Sequence, residues 1–333
     1  MTTDAQILAA LREAGENGIA GTELSRRLGV SRAAIWARID ELRTVGFRIE
    51  ASPHAGYRLF ESPNRLFADD ILSRLHQPRV IGRDIRVFRE TKSTNDLIER
   101  MARDGAEEGI VVFAEKQTAG KGRLGRIWES PAEKGLWFSI LLRPKLRPLE
   151  AGRLTIGFSN AIAQTLRREY QIDARIKWPN DIFVNGRKLC GILTEMSAEI
   201  DSLNHVALGI GINVNINSSD FPPELRSIAT SLKIEQRQEI DRPQLSAALL
   251  QGLEAAYPRI QGPSFRDVRR EWAELCETIG QEVTVYCGQR TISGSAESID
   301  EDGGLLIRGP YGALERVIGG DVTTKPQGGR ART

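Results

Sequence analysis

Gly120-Lys-Gly-Arg-Leu-Gly125 has the G-x-G-x-x-G spacing of a dinucleotide-binding turn, and its reading decides the fold. A dinucleotide fold needs a strand running into the glycines and a helix opening on them, with pyrophosphate at the helix N-terminus. The strand is there: Gly109-Ile-Val-Val-Phe-Ala114 is a short apolar, β-branched run. The helix is not. Arg126-Ile-Trp-Glu-Ser-Pro131 follows, and a proline six residues past Gly125 leaves little room for an amphipathic helix. Lys121, Arg123 and Arg126 put three cations within six positions, whereas a Rossmann turn works mainly through backbone N–H groups. The loop from Gln117 to Trp128 is therefore read as an anion-binding loop. Its cations repel one another, and burying them is costly until an anion arrives. Such a loop should be mobile without its ligand and ordered by it.

Outward from the loop, Thr91-Lys-Ser-Thr-Asn-Asp96 precedes a helical run over Leu97–Arg103. Ser93 or Thr94 either caps that helix or offers hydroxyl and N–H groups to a polar ligand; local sequence leaves both open. Arg175-Ile-Lys-Trp-Pro-Asn-Asp-Ile182 joins two strand-like pieces, and Ile182–Glu195 reads as a hairpin turning at Asn185-Gly186. Lys177 and Asp181 suit a surface ion pair. Lys188 sits among apolar neighbours, where its stem packs while its amine points into a site. Val206-Ala-Leu-Gly-Ile-Gly-Ile-Asn-Val-Asn215 alternates and contains glycines, which lets backbone or ligand come close. Pro243–Ile260 and Phe265–Cys276 read as amphipathic helices that close this region.

Before it, Ile7, Leu8 and Leu11 recur at helical spacing, and Thr22 is placed to cap a second helix carrying Leu24 and Leu28. Ser31 is a good N-cap for a third helix to about Thr44, with Ile35, Ile39 and Leu42 as its buried stripe and Trp36 on its flank. Two strand-like pieces, Phe47–Glu50 and Tyr57–Phe60, flank Ser-Pro-His-Ala-Gly. Helix, turn, helix and hairpin make a winged helix-turn-helix. Ser31, Arg32, Ala33 and Trp36 are then the residues presented to a DNA major groove. Arg26 to Arg48 holds six arginines against Asp40 and Glu41, so phosphate contacts are expected there. A winged helix used only for protein contacts is the alternative.

The chain has 333 residues, too many for one ordinary core, so two or three domains are expected. Its 46 basic and 44 acidic residues exclude a polycation that coats nucleic acid, so any such role is local. Cys190, Cys276 and Cys287 form no C-x-x-C pair, and His54, His76 and His205 are too scattered for zinc spacing. That usage suits a reducing compartment. With no long apolar run or signal segment, a cytoplasmic protein without membrane association is expected.

Ser93-Thr-Asn95, Gly120-Lys-Gly-Arg-Leu-Gly-Arg126, Lys177-Trp-Pro-Asn-Asp181, Arg187-Lys-Leu-Cys-Gly-Ile192 and Gly209-Ile-Gly-Ile-Asn213 occur in the order found in biotin protein ligases. With the winged helix in front, nearly the whole chain resembles the bifunctional bacterial form that is also the biotin-operon repressor. The resemblance implies an α+β fold. A winged helix-turn-helix covers 1–62, and a central α/β ligase domain of the class II aminoacyl-tRNA synthetase and biotin ligase type covers 63–276. An SH3-like β-barrel covers 277–325; the Arg/Gly-rich end, Gln327-Gly-Gly-Arg-Ala-Arg-Thr333, is by its composition read as a disordered tail over 326–333. Short alternating strands at Glu282–Tyr286, Thr291–Ser298 and Gly304–Arg308 agree with the barrel.

The resemblance also implies a reaction. Biotin's carboxylate attacks the α-phosphorus of ATP to give biotinyl-5′-AMP, and a lysine of the biotin carboxyl carrier protein of acetyl-CoA carboxylase then attacks that mixed anhydride. Arg123, Lys188 and Lys121 are the implied catalytic cations. Ser93, Thr94, Asn95 and Gln117 meet biotin, Gly122 wraps its carboxylate with the cations, and Arg126, Trp128, Asn180, Asp181 and Asn213 lie on the nucleotide and Mg2+ side. ATP with Mg2+ is the co-substrate, with no prosthetic group and no tightly bound metal. Operator DNA and a ligand-induced homodimer complete the implied partners. One position departs: many members carry Arg where this chain has Lys121, which keeps the charge and loses the bidentate fork. Activity should survive that change, with the leak of adenylate the property in question. Two alternatives stand beside this reading. A lipoate-type ligase shares the fold and the acyl-adenylate strategy. A non-catalytic biotin-sensing DNA regulator should have lost Arg123 or Lys188.

Overall fold

The computed structural model describes residues 1–52, 55–75 and 80–324. The centre of the wing turn, His76 and the expected C-terminal tail lie outside the described residues. Three helices open the chain: α1 (Thr3–Ala14), α2 (Gly21–Leu28) and α3 (Arg32–Thr44), followed by the antiparallel hairpin β1 (Arg48–Ser52) and β2 (Gly56–Glu61). Ile7, Leu8, Leu11, Leu24, Ile35, Ile39 and Leu42 meet in one buried cluster with Phe47 and Ile49 of the wing. Ser31 caps α3 as its sequence suggests, its hydroxyl accepting from the Ala34 N–H at 3.1 Å. Thr22 does not cap α2. Ala20 holds that position, because Ile19 and Tyr57 exchange backbone hydrogen bonds of 2.9 and 2.8 Å and so force the chain to turn into helix just after Ile19. A long-range pairing has overridden a local capping preference.

The central region contains α4 (Ala68–Ser73), β3 (Asp84–Phe88), α5 (Thr94–Arg103), β4 (Ile110–Ala114), β5 (Gly135–Leu142) and α6 (Gly152–Tyr170). It continues with β6 (Arg175–Lys177), β7 (Asp181–Val184), β8 (Arg187–Ala198), β9 (Leu203–Asn213), α7 (Leu232–Gln236), α8 (Arg242–Gln261) and α9 (Phe265–Leu275). The strands form one sheet in the order β3-β4-β5-β9-β8-β7-β6, parallel only between β3 and β4. Both faces are covered, which is why β4 reads as a continuous apolar run. Its Val111 and Phe113 join the large core under α6, α8 and α9, while Ile110 and Val112 pack with Ile98 and Ala102 of α5. Asn185 (φ 50°) and Gly186 (φ 72°) make the β7–β8 turn, the left-handed pair that an Asn-Gly hairpin calls for.

The last strands are β10 (Glu282–Cys287), β11 (Arg290–Ile299), β12 (Leu305–Arg308), β13 (Leu314–Val317) and β14 (Asp321–Thr324), antiparallel in the order β13-β12-β11-β10-β14. Two buried carboxylates join the regions. Asp70 of α4, fully buried, receives Arg12 of α1 and Arg74. Glu115 accepts from Arg242 at 2.5 Å and from the Leu66 N–H at 2.7 Å, so that the chain following the wing is fastened to both sheet and α8.

Candidate active site

One cavity of about 1070 Å3 opens between the Gln117–Trp128 loop, the faces of β8 and β9, and the start of β14. The loop is a small hairpin. The Gly122 N–H donates to the Arg126 carbonyl at 2.7 Å and the Trp128 N–H to the Gly120 carbonyl at 2.9 Å. Its tip turns through Leu124 (φ 57°) and Gly125 (φ 75°), and no α-helix follows, so the glycine spacing belongs to a flap and not to a Rossmann turn. Leu124 at the tip and Ile127 beside the cavity mouth are both exposed.

A polar end of the cavity is built where α5 begins. Ser93 is the N-cap residue, buried, yet its side chain makes no capping bond. The Thr94 N–H and hydroxyl both donate to Gln117 Oε1, at 2.9 and 3.1 Å, and the Gln117 amide donates to Ser130 at 2.9 Å. Asn95 donates to Glu195 at 2.7 Å and accepts from Ser139, which is also 2.7 Å from the Thr94 hydroxyl. Gly209 faces Asn95, and a Cβ there would run into its amide. Ser130, Ser139 and Glu195 were missed in the sequence. Ser139 had a usable signal, a lone hydroxyl in the otherwise apolar strand GLWFSILL.

The four cations divide. Lys121 reaches outward to Asp96 and, at 3.7 Å, to Glu195; its hydrogen bond to Asp96 holds its pKa above the usual lysine value. Arg126 forms a two-pronged pair with Asp321 of β14. Arg123 points inward, 2.9 Å from Asn180 Oδ1 and 3.5 Å from the Gly320 carbonyl, and burial lowers its pKa. Lys188 lies 2.7 Å from Asp181 and 5.3 Å from the centroid of the Trp128 ring. The expected Lys177–Asp181 ion pair is absent among the described residues. The two are backbone register partners, but Lys177 lies over the Phe183 ring and Asp181 faces Lys188.

Trp128 packs on a floor made by Gly191 and Gly211, where an added Cβ would come within 2.8 and 2.5 Å of its indole. Its Nε1–H is buried without an acceptor among the described residues, a donor left for a ligand. Asn180 donates to the Ile192 carbonyl at 2.8 Å, and Asn213 to the Thr230 carbonyl at 2.9 Å. Gly122, Asn180, Asp181 and Asn213 all line the same cavity as the cations, and Ile216, Phe221 and Leu225 close its far end.

Residues 87–213 match the model of the biotin/lipoate A/B protein ligase family, residues 4–58 a helix-turn-helix domain and residues 278–323 the biotin protein ligase C-terminal domain. Over 316 residues the chain is 36% identical to the bifunctional ligase/repressor BirA of Bacillus subtilis, covering 95% of this chain and 97% of that one. It belongs to the biotin protein ligase family. The BirA of Escherichia coli is 30% identical over 309 residues, covering 92% of each chain. A solved biotin protein ligase from Aquifex aeolicus, in complex with biotin and ATP, superposes with a TM-score of 0.62 at 28% identity, covering 73% of this chain and 99% of that one.

In this biotin protein ligase family member the start of α3 faces solvent: Ser31, Arg32 and Ala33 are exposed, and Trp36 is 58% exposed one turn on. The arginine excess counted along the sequence is reduced by folding. Glu23, just outside the counted stretch, takes Arg26 and Arg27, while Arg38 pairs with Glu41 and Arg48 with Glu50. Arg43 donates to the Ile49 carbonyl. Arg32 alone of the six has no such partner among the described residues. No helix among the described residues is long and apolar enough to cross a membrane.

Proposed function

We propose that this chain makes biotinyl-5′-AMP from biotin and ATP, transfers biotin to a lysine of the biotin carboxyl carrier protein of acetyl-CoA carboxylase, and represses biotin synthesis genes through its winged helix. The observation that carries the ligase half is the placement of Arg123 and Lys188 in one cavity, between a hydrogen-bonding end and an indole with a free donor. Attack of the biotin carboxylate on the α-phosphorus builds negative charge on the non-bridging oxygens, and cations already held in place stabilise it without reorganising at that moment. Arg123 is held by Asn180 and Lys188 by Asp181, which fixes the place of both side chains in the cavity. Ser93, Thr94, Asn95 and Gln117 are assigned to the ureido ring and tail of biotin, Gly122 to its carboxylate side with the cations, and Trp128 and Asn213 to the nucleotide.

Magnesium is assigned to the ATP phosphates, as an ion that enters with them and keeps several waters. Asp181 suits that role: it lines the same cavity as the cations, with its Oδ1 paired to Lys188 at 2.7 Å. In the second step the acceptor lysine amine attacks the acyl carbonyl, the C–N bond forms, and AMP leaves with the electron pair of the anhydride C–O bond. For repression, a homodimer on the adenylate-bound sheet places two α3 helices against a two-fold operator. Three unpaired cysteines suit the reducing cytoplasm in which these partners meet.

Incubation with biotin, MgATP and a carrier domain tests the ligase: one lysine should gain the mass of biotin less one water, and pyrophosphate should be released. Transfer of lipoate in its place identifies the lipoate-type alternative, and an absence of pyrophosphate leaves the sensing regulator. Sedimentation with and without biotinyl-5′-AMP tests the dimer, which an unchanged monomer contradicts.

A further inference from the structure

Glu235, in the short helix α7, is far in sequence from every residue assigned above, and its side chain is only 7% exposed. It collects three donors, two from the β7–β8 hairpin and one from the 228–231 segment. Arg187 donates to Oε1 at 2.8 Å, Asn185 to Oε2 at 2.7 Å, and the Thr230 hydroxyl to Oε1. Each donor borders the cavity's working parts. Asn185 makes the β7–β8 turn, and Arg187 immediately precedes Lys188. Thr230 lies on the segment that exchanges backbone hydrogen bonds with Lys188, through Lys188 N–H to the Ile228 carbonyl at 2.8 Å and Thr230 N–H to the Lys188 carbonyl at 2.9 Å. The Thr230 carbonyl in turn accepts from Asn213. The polar end built on Thr94, Asn95, Gln117 and Ser139 shares none of these bonds.

We infer that Glu235 is a positioning residue for ATP: it clamps the β7–β8 hairpin to the 228–231 segment, and so sets Lys188, Asn213 and the apolar wall of Ile216, Phe221 and Leu225 relative to one another. The inference rests on the proposed ligase function. A buried carboxylate with three donors holds them more firmly than an exposed pair, and removing its charge strands a half-buried guanidinium. Glu235 touches no reacting atom; it acts through what it holds.

The test compares wild type, Glu235→Gln, Arg187→Gln and Thr230→Val in pyrophosphate release. Circular dichroism melts report whether each variant folds. Glu235→Gln should raise KM for ATP roughly 10-fold, the size expected from unpairing one buried group. KM for biotin should stay within about twofold, and Arg187→Gln should shift the ATP KM in the same direction. A merely structural role would lower the melting temperature and leave the ratio of the two KM values alone. A folded Glu235→Gln protein with wild-type KM for ATP overturns the inference. If that variant does not fold, unchanged ATP KM in both Arg187→Gln and Thr230→Val overturns it equally. A wild type that releases no pyrophosphate overturns the proposed function and this inference together, whereas an active wild type with unaffected variants overturns the inference alone.

Discussion

Among the residues, two of the four flap-side cations are spent on carboxylates at the rim and two are kept for the interior. Lys121 and Asp96 are 42% and 45% exposed, and pairs of that kind contribute only about 0.2–1 kcal/mol. Lys121→Met should therefore leave adenylate synthesis within about fivefold and speed adenylate release by a similar factor, read by stopped-flow dissociation of biotinyl-5′-AMP. Arg123 is another matter. Removing a preorganised donor to a developing oxyanion costs about 10²–10³ in rate, so Arg123→Ala should lower single-turnover pyrophosphate formation by that much, and Lys188→Ala likewise. Arg123→Ala with wild-type turnover would sink the assignment. The same scale shows why Lys121 is hard to place from sequence: its charge is plain, but which carboxylate takes it depends on Asp96 and Glu195, which arrive from α5 and β8.

At the level of elements, periodicity and turn chemistry did most of the work. α3 starts at its capping serine, β4 is the apolar run, and the β7–β8 hairpin turns at Asn-Gly. β13 escaped notice because Leu314-Glu-Arg-Val317 buries only Val317 on a short strand, which leaves no alternation to read. α2 was misplaced because the Ile19–Tyr57 bridge, not Thr22, decides where it begins. Elements are also held by groups whose partners lie far away. Arg242 at the start of α8 is 1% exposed and donates to Glu115, to the Asn64 carbonyl at 2.7 Å and to the Gly135 carbonyl at 3.2 Å. Arg242→Met leaves a buried carboxylate without its countercharge, which costs about 3–5 kcal/mol. A lower urea midpoint with unchanged slope should report it, and a midpoint within error of wild type would show that Glu115 finds another partner.

For the whole molecule, the winged helix is seated on the ligase region and not simply tethered to it. Arg12 reaches across from α1 to the buried Asp70 and also donates to Ser62 at 3.0 Å and Ser73 at 3.3 Å, while Phe47 and Phe67 meet with ring centroids 5.9 Å apart. Asp70→Asn should loosen that seat. Proteolysis within residues 61–64 should accelerate and operator affinity fall by about tenfold or more, with pyrophosphate release unchanged, since Asp70 lies outside the cavity. Equal loss of both activities would mean that Asp70 supports the fold at large and not the docking.

The amino-acid sequence by itself determined the local matters: where most helices and strands lie, which turn is an Asn-Gly hairpin, and that a glycine-spaced cationic loop could not be a Rossmann turn. It also carried enough ordered motifs to reveal the family. Only the tertiary structure decided the pairings: Asp181 with Lys188 and not Lys177, Glu23 with two of the arginines counted toward DNA, Arg126 with Asp321, and Glu235 with three donors. The reason is physical. Periodicity and backbone preference are encoded within a few residues, whereas an ion pair belongs to whichever charge the fold brings within a few ångströms, at any distance along the chain.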